Sequence, residues 1–570
     1  MASNQTGTAP RLRRYGPFGL IIVVVAIIAL VTVVLARDDD GDGGGSDDVP
    51  NTQELIRSGP MTPQKAELLG EANVDFGPDC NVETGTVAIP TVYAPPCVEP
   101  FEGDNGGATS SGVTGDSIKI VRYAADPALD PLLASQLSGG GADVRPESAN
   151  VTAQGYIDMW AEYLETYGRE IDFETYTGTG ASDDEQAAKA DAIAIAEKEP
   201  FAVIGGPSQA ATTFADELTA EGIMCIGNCA LAIAQDFTLG NAPYVWNAGP
   251  SPEQAARLAS EMIGKLAGPG PAQFAGDPEL RQQDRVYGLV HYDTPDGRLQ
   301  EAFQTYEDEL AKYDIELATD AEFFLDRARL QENARTIITK FKDAGVTTVI
   351  YTGDPITPAS LTQEATAQEY FPEWILGSSV LADTAVFGRL NDGEQWKNGF
   401  GISLPAGRAD QESQNSFRLY QWYTGEEPPT NIYGLIQPEV SYVMRCIHMA
   451  GPNLTPETCR DGFFRLPPSG GGPTNPGVSW GDHGFWPGID YGTVDDAAIV
   501  WWDPDAVGEN EIGQSGSGLY RYANGGKRYS LGEFPTFEES GLFDLASSVT
   551  IYDTIPPEDQ VPDYPSPAGG

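Results

Sequence analysis

Ser208 and Gln209 are the residues of this chain best placed to do chemistry. An apolar run at 201–204 ends in Gly205-Gly206-Pro207, a helical pattern follows over 208–219, and a second apolar run covers 223–226. That order is strand, turn, helix, strand, the unit of a parallel sheet. It puts a serine hydroxyl at a helix start, where free backbone N–H groups and the positive end of the helix dipole face whatever fills the crevice. The stretch Gly206-Pro207-Ser208-Gln209-Ala210 also has the outline of a hydrolase elbow, with Ala210 in place of its last glycine. A nucleophilic serine needs a histidine base. The candidates are His291 at a strand end, His448 in a helical stretch beside Cys446, and His483 in a loop. Ser208 is therefore read as a ligand-holding or helix-capping group. No catalytic residue is assigned, and the chain is read as a binder, not an enzyme.

Metal chemistry finds little to work with. Cys225 and Cys229 have no histidine near them in sequence, and four good ligands are not visible. Asp503, Asp505 and Glu511 miss the third oxygen ligand and the glycine of a calcium loop. No metal and no cofactor are expected.

The scaffold that must position these groups begins at Ser117. Strand patterns fall at 117–124, 171–178, 201–206, 223–227, 285–292, 346–353, 374–379 and 398–405. Helical patterns lie between them at 153–167, 183–198, 252–266, 297–313, 330–344 and 358–370. Alternating βα units imply parallel sheets with helices on both faces. Two such runs, split near Pro250, predict an α/β protein of two doubly wound lobes, 117–250 and 251–405. Helices at 414–424 and 436–451 fall in a return segment, 406–460, to lobe I and the hinge. Residues 461–570, rich in Gly, Pro and Trp, read as an irregular extension packed on the lobes, with a loose proline-rich end at 555–570.

Composition narrows the function further. A formal charge of −51 argues against a nucleic-acid partner, which needs clustered Lys and Arg. Residues 15–36 carry no charge and are long enough to span a bilayer. Arg11, Arg13 and Arg14 precede them and Asp38–Asp40 follow. The positive-inside rule then predicts a cytoplasmic stub at 1–14, a transmembrane anchor at 15–36 and an extracytoplasmic remainder. Residues 37–116 form an acidic glycine-rich tether and a strap. Six cysteines outside the cell favour disulfides. Of the fifteen pairings six cysteines allow, the sequence-local set is preferred: Cys80 with Cys97, Cys225 with Cys229, Cys446 with Cys459.

In order and spacing, residues 117–450 resemble the type I periplasmic-binding fold, in particular the branched-chain amino acid (Leu/Ile/Val) solute-binding proteins of ABC transporters. The likeness rests on 203–226 with Glu221-Gly222-Ile223, on YVWNAGPSPEQAARLASEMI (244–263), and on VYGLVHYDTPDGRLQEAF (286–303). It extends through 346–370 and WILGSS (374–379). It implies two lobes joined by three crossovers, closing on a ligand. Ser208 would hold a ligand carboxylate, Cys229 would act through its backbone, and Leu231 stands where a second hydroxyl is common. Asp296 and Asp354 occupy places of ring-bearing residues, and Ser379 stands where amino-acid binders carry an acid. These departures count against an aliphatic amino acid. Negative charge from Asp296 and Asp354 would favour a polar or cationic solute, an amide or a urea-like compound.

The reading taken is extracytoplasmic capture of a small polar solute by lobe closure, for delivery to an ABC permease. Ser208, Gln209, Asn228 and Cys229 would line one side of the cleft, and Asp296, Asp354 and Ser379 the other. The alternatives are a ligand-sensing receptor ectodomain and an extracellular serine hydrolase using Ser208.

Overall fold

The computed structural model describes residues 52–129, 143–294, 297–326, 328–379 and 381–569. The stub, the anchor at 15–36, most of the tether, and Asp296 lie outside the described residues. Among the described residues no helix is long and apolar enough to cross a membrane.

The strap opens with α1 (Thr52–Ser58) and α2 (Pro63–Leu69), then a short antiparallel pair, β1 (Cys80–Asn81) and β2 (Thr86–Val87). The Cys80–Cys97 disulfide closes it. Arg465 fastens α1 to the body, its Nε donating to Leu55 O at 2.7 Å.

Lobe I follows in strict alternation: β3 (Ser117–Ala124), α3 (Pro146–Tyr163), β4 (Glu170–Thr177), α4 (Glu185–Ala196), β5 (Ala202–Ile204), α5 (Ala211–Ala220), β6 (Met224–Gly227), α6 (Gln235–Gly240) and β7 (Val245–Asn247). The sheet order is β4-β3-β5-β6-β7, all parallel. Its topological switch point lies between β3 and β5, where a doubly wound sheet opens a crevice at the strand C-termini. The strands are short and apolar because both faces are covered. Val121, Tyr123, Val203 and Cys225 pack under α4 and α5 with Phe214 and Leu218.

Lobe II runs α7 (Pro252–Leu266), β8 (Tyr287–Tyr292), α8 (Gln300–Ala311), β9 (Leu317–Phe323), α9 (Leu330–Asp343), β10 (Thr348–Gly353), α10 (Thr357–Ala367), β11 (Glu373–Ser379), α11 (Ala385–Gly388), α12 (Gly393–Trp396) and β12 (Phe400–Ser403). The chain then returns to lobe I through α13 (Asn415–Thr424), α14 (Tyr433–Ala450) and α15 (Pro456–Arg465). Helix α14 packs beside α3 on the sheet face opposite α4 and α5. The Cys446–Cys459 disulfide joins α14 to α15.

The extension is more regular than its composition suggests. β13 (Asp496–Glu509), β14 (Ser515–Tyr522) and β15 (Arg528–Ser530) enter the lobe II sheet. They continue it antiparallel from β12, giving eight strands in the order β14-β13-β12-β11-β10-β8-β9 with β15 against β13. Trp501 and Trp502 lie on β13 and bury opposite faces into the two lobe II cores. The proline-rich end is docked, not loose. Buried Asp559 accepts from Thr474 N and Oγ1, both at 2.8 Å, and Trp422 Nε1 donates to Tyr564 O.

Three strands of chain connect the lobes. β7 leads to α7, β12 leads to α13, and the segment after α15 leads to β13. β7 leaves lobe I at a strand C-terminus, and β12 leaves lobe II at one. The C-terminal edges of the two sheets therefore face a common seam. Two crossings are bonded side by side: Asn247 N donates to Tyr491 O at 3.1 Å, and Thr493 N to Gly249 O at 3.1 Å. Arg528 holds the third, donating to Pro405 O and Leu404 O while pairing with Asp496 at 2.7 Å.

Candidate functional site

On the lobe I side, β5 ends in a turn that glycine makes possible. Gly205 has φ +69°, and a Cβ there would lie 2.3 Å from Tyr123 O. At Gly206 a Cβ would lie 3.0 Å from Asn228 O and from Cys229 Cα. The turn carrying Ser208 is thus pressed against the one carrying Asn228 and Cys229, and four of the expected residues share one edge. The Ser208 side chain is half-buried and its hydroxyl has no partner among the described residues.

Two details differ from the expectation. Helix α5 starts at Ala211, with Ala210 as a cap that makes no side-chain bond, so Ser208 and Gln209 sit in the preceding turn. The N–H groups of Gln209 and Ala210 are not free either; both donate to Ser182 O, at 3.1 and 3.0 Å. What remains at this point is the Ser208 hydroxyl and the Gln209 Oε1, which is buried without a partner. Cys229 is spent structurally, its sulfur bonded to Cys225 across a Cα–Cα distance of 5.3 Å.

On the lobe II side, Ser379 ends β11, and its Oγ is buried without a partner, as a ligand-facing hydroxyl would be. Asp354 does something else. Its Oδ1 accepts from Ile356 N at 2.7 Å and Thr357 N at 2.8 Å, and its Oδ2 accepts from Thr357 Oγ1 at 2.7 Å. The carboxylate thus satisfies the orphan donors of α10's first turn. The negative charge expected to reach a solute from Asp354 is engaged in its own helix. Asp293, at the end of β8, is used likewise by Thr294 N and Leu299 N, at 2.7 and 2.9 Å.

The sequence reading missed Tyr292, Asp383, Arg122 and Glu439. Burial first, then the charges of Asp354, Asp183, Asp293 and Glu185, push the Tyr292 phenol up to about 12. Asp183 and Glu185 belong to the start of α4 in lobe I, so this phenol stands across the seam from it. Asp383 is buried, its Oδ1 unpartnered, and its carboxyl is raised to about 6 by burial against a bond from Ser403 at the end of β12. Nothing in the local sequence marks it.

Arg122 had a readable signal. Ile118, Ile120 and Arg122 alternate on one face of β3, so a guanidinium stands where an aliphatic chain is due. It is 7 % exposed, and its Nε and Nη1 are buried without a partner. Glu439 of α14 lies near it, also buried, beside Gly227, whose Cβ would meet Glu439 Cγ at 3.4 Å. Burial lifts the Glu439 carboxyl to about 7, against the Arg122 charge and hydrogen bonding from Asn228.

The hydrolase geometry is not assembled. His448 accepts from Glu165 N through Nδ1 at 2.8 Å and faces Pro96 O through Nε2. His291 faces Asp320 at 3.0 Å in lobe II and stacks on Phe303. His483 sits in the extension, and no described histidine bonds Ser208. Among the described residues no cluster of His, Cys, Asp and Glu could hold a metal ion.

No protein-family model matches the chain, and no curated protein does. Similar solved structures are periplasmic binding proteins, the kind of protein the order of motifs resembles. A periplasmic binding protein from Burkholderia mallei is 10% identical with a TM-score of 0.48, over 75% of this chain and 99% of that one. The branched-chain amino acid transporter substrate-binding protein LivJ of Streptococcus pneumoniae, in complex with isoleucine, is 15% identical with a TM-score of 0.45, over 71% and 99%. An ABC-transporter solute-binding protein from R. palustris, in complex with 4-hydroxybenzoate, is 12% identical with a TM-score of 0.46, over 74% and 99%.

Proposed function

We propose that this chain captures a small solute reversibly between its two lobes, outside the cytoplasm, and presents it to an ABC permease. The observation that carries the reading is the opposition of two sheet C-terminal edges across a seam spanned by three crossings, with polar groups left unsatisfied on both sides. Gln209 Oε1 on one edge, and Ser379 Oγ and Asp383 Oδ1 on the other, are buried without partners. Buried polar atoms normally find hydrogen bonds, and a solute bonded to both edges would satisfy them while holding the lobes shut. The apolar run at 15–36 would keep the binder at the membrane surface, near its translocator.

A thermal-shift screen of small polar and charged compounds on the chain without its first 36 residues tests this, followed by small-angle scattering with the best hit. A stabilising solute that also reduces the radius of gyration is expected. A hit that leaves the scattering unchanged, or that is consumed and released as product, would overturn the reading.

A further inference from the structure

Resting on the solute-binding reading, we propose that Arg122 is the anion-holding group of the lobe I edge and that the captured solute carries a carboxylate. Three observations lead there. The first is register: Arg122 pairs with Ile204 across β3 and β5, one residue before the Gly205–Ser208 turn and at the switch point of the sheet. The second is an unmet demand. Arg122 is over nine-tenths buried, and its side chain makes no described hydrogen bond and forms no described ion pair. A guanidinium in that state is costly unless an acceptor arrives. Nη2 is the nitrogen left at an accessible position, since Nε and Nη1 are the two that are fully buried.

The third is the poor quality of the internal substitute. Glu439 is the neighbouring carboxyl, but it is hydrogen-bonded by Asn228, and burial disfavours its ionised form. The two side chains feel each other's charge but share no described hydrogen bond or ion pair. A carboxylate entering between Arg122 and the Ser208 hydroxyl would accept a charge-assisted hydrogen bond from Nη2 and a further one from the hydroxyl. Asn150 Oδ1, buried and unpartnered in the first half of α3, adds an acceptor at the same edge for a polar group elsewhere on the solute.

Matched acids and amides separate charge from shape. Benzoate with benzamide, isovalerate with isovaleramide and succinate with succinamide would be tested by thermal shift on the wild-type protein. At least one acid should stabilise it while its amide does not. Arg122→Met should weaken that acid by about 30-fold or more, with the ligand-free melting temperature unchanged or raised. Arg122→Lys, which keeps the charge as a compact, more strongly hydrated ammonium, should fall between. The inference is overturned if amides stabilise as well as acids, if inorganic sulfate does as well as the carboxylates, if no acid stabilises, or if Arg122→Met binds like wild type. An amide or amine that stabilises and compacts the protein would sink the carboxylate while leaving solute capture standing. A protein that no acid, amide or amine stabilises or compacts would sink both.

Discussion

Replacing Glu439 with glutamine should make the protein more stable above neutrality and leave it unchanged in acid. The carboxyl is 4 % exposed and its pKa is raised from 4.5 to about 7, with burial outweighing Arg122 and Asn228. A raised carboxyl binds its proton more tightly folded than unfolded. Its favourable contribution is thus complete below pH 4.5 and is lost as pH rises through about 7. At about 1.4 kcal/mol per pKa unit, the ionised form costs about 3 kcal/mol at pH 8. Glutamine keeps the shape and never ionises, so it removes that cost. With an unfolding entropy of about 2 cal/mol/K per residue, a chain this long moves about 1 °C per kcal/mol, so the variant should melt about 3 °C higher near pH 8. Near pH 5 the two melts should nearly coincide. A wild type more stable than the variant at pH 8 would mean that the Arg122–Glu439 attraction exceeds the desolvation cost, and would refute the reasoning.

Other perturbations probe the frame that holds the site. Arg285 and Glu373 form an ion pair at 2.8 Å, their side chains 3 % and 0 % exposed, so Arg285→Met should cost about 3–5 kcal/mol in denaturant unfolding by stranding the carboxylate. Gly205→Ala would force a side chain into φ +69° and against Tyr123 O, and should lower stability by at least about 1 kcal/mol and weaken any ligand that uses Ser208. Replacing Cys225 and Cys229 by serine releases a loop of sequence separation 4, which should cost about 2 kcal/mol and make melting insensitive to reduction of that bond.

Much of the scaffold was legible because its strands are buried on both faces. The run at 117–124 reads as strand from its residues alone and is β3 as observed. β9 escaped because LATDAEF alternates threonine and acids with apolar residues, and it lies at the sheet edge, half open to water. The cysteine pairs were readable because each closes a short local loop. The fate of Asp354 was also written locally: an acid three residues before Thr357 at a helix start is a capping pattern. The entry of β13 into the lobe II sheet was not legible. Nothing in 496–509 says that its partner is β12, nearly a hundred residues earlier. Arg122 was legible as an anomaly on an apolar face, but its meaning depends on α14, which comes from the other end of the chain.

That dependence bears on the sign of the ligand. A net charge of −51 and acids at the second-lobe strand ends point, in sequence, toward a cationic or neutral solute. Net charge describes the long-range field around the molecule, whereas a bound group feels the few charges that are dry and unpaired beside it. Asp354 and Asp293 are consumed by the helices and turns they begin. The carboxyls at the seam that stay buried, Asp383 and Glu439, are driven toward their neutral forms. Burial thus weakens the hold of these acids on their negative charge, whereas Arg122 stays charged at any physiological pH and is the permanent charge at the switch point. An acid-rich surface and an anion-seeking interior are compatible because the first is solvated and the second is not.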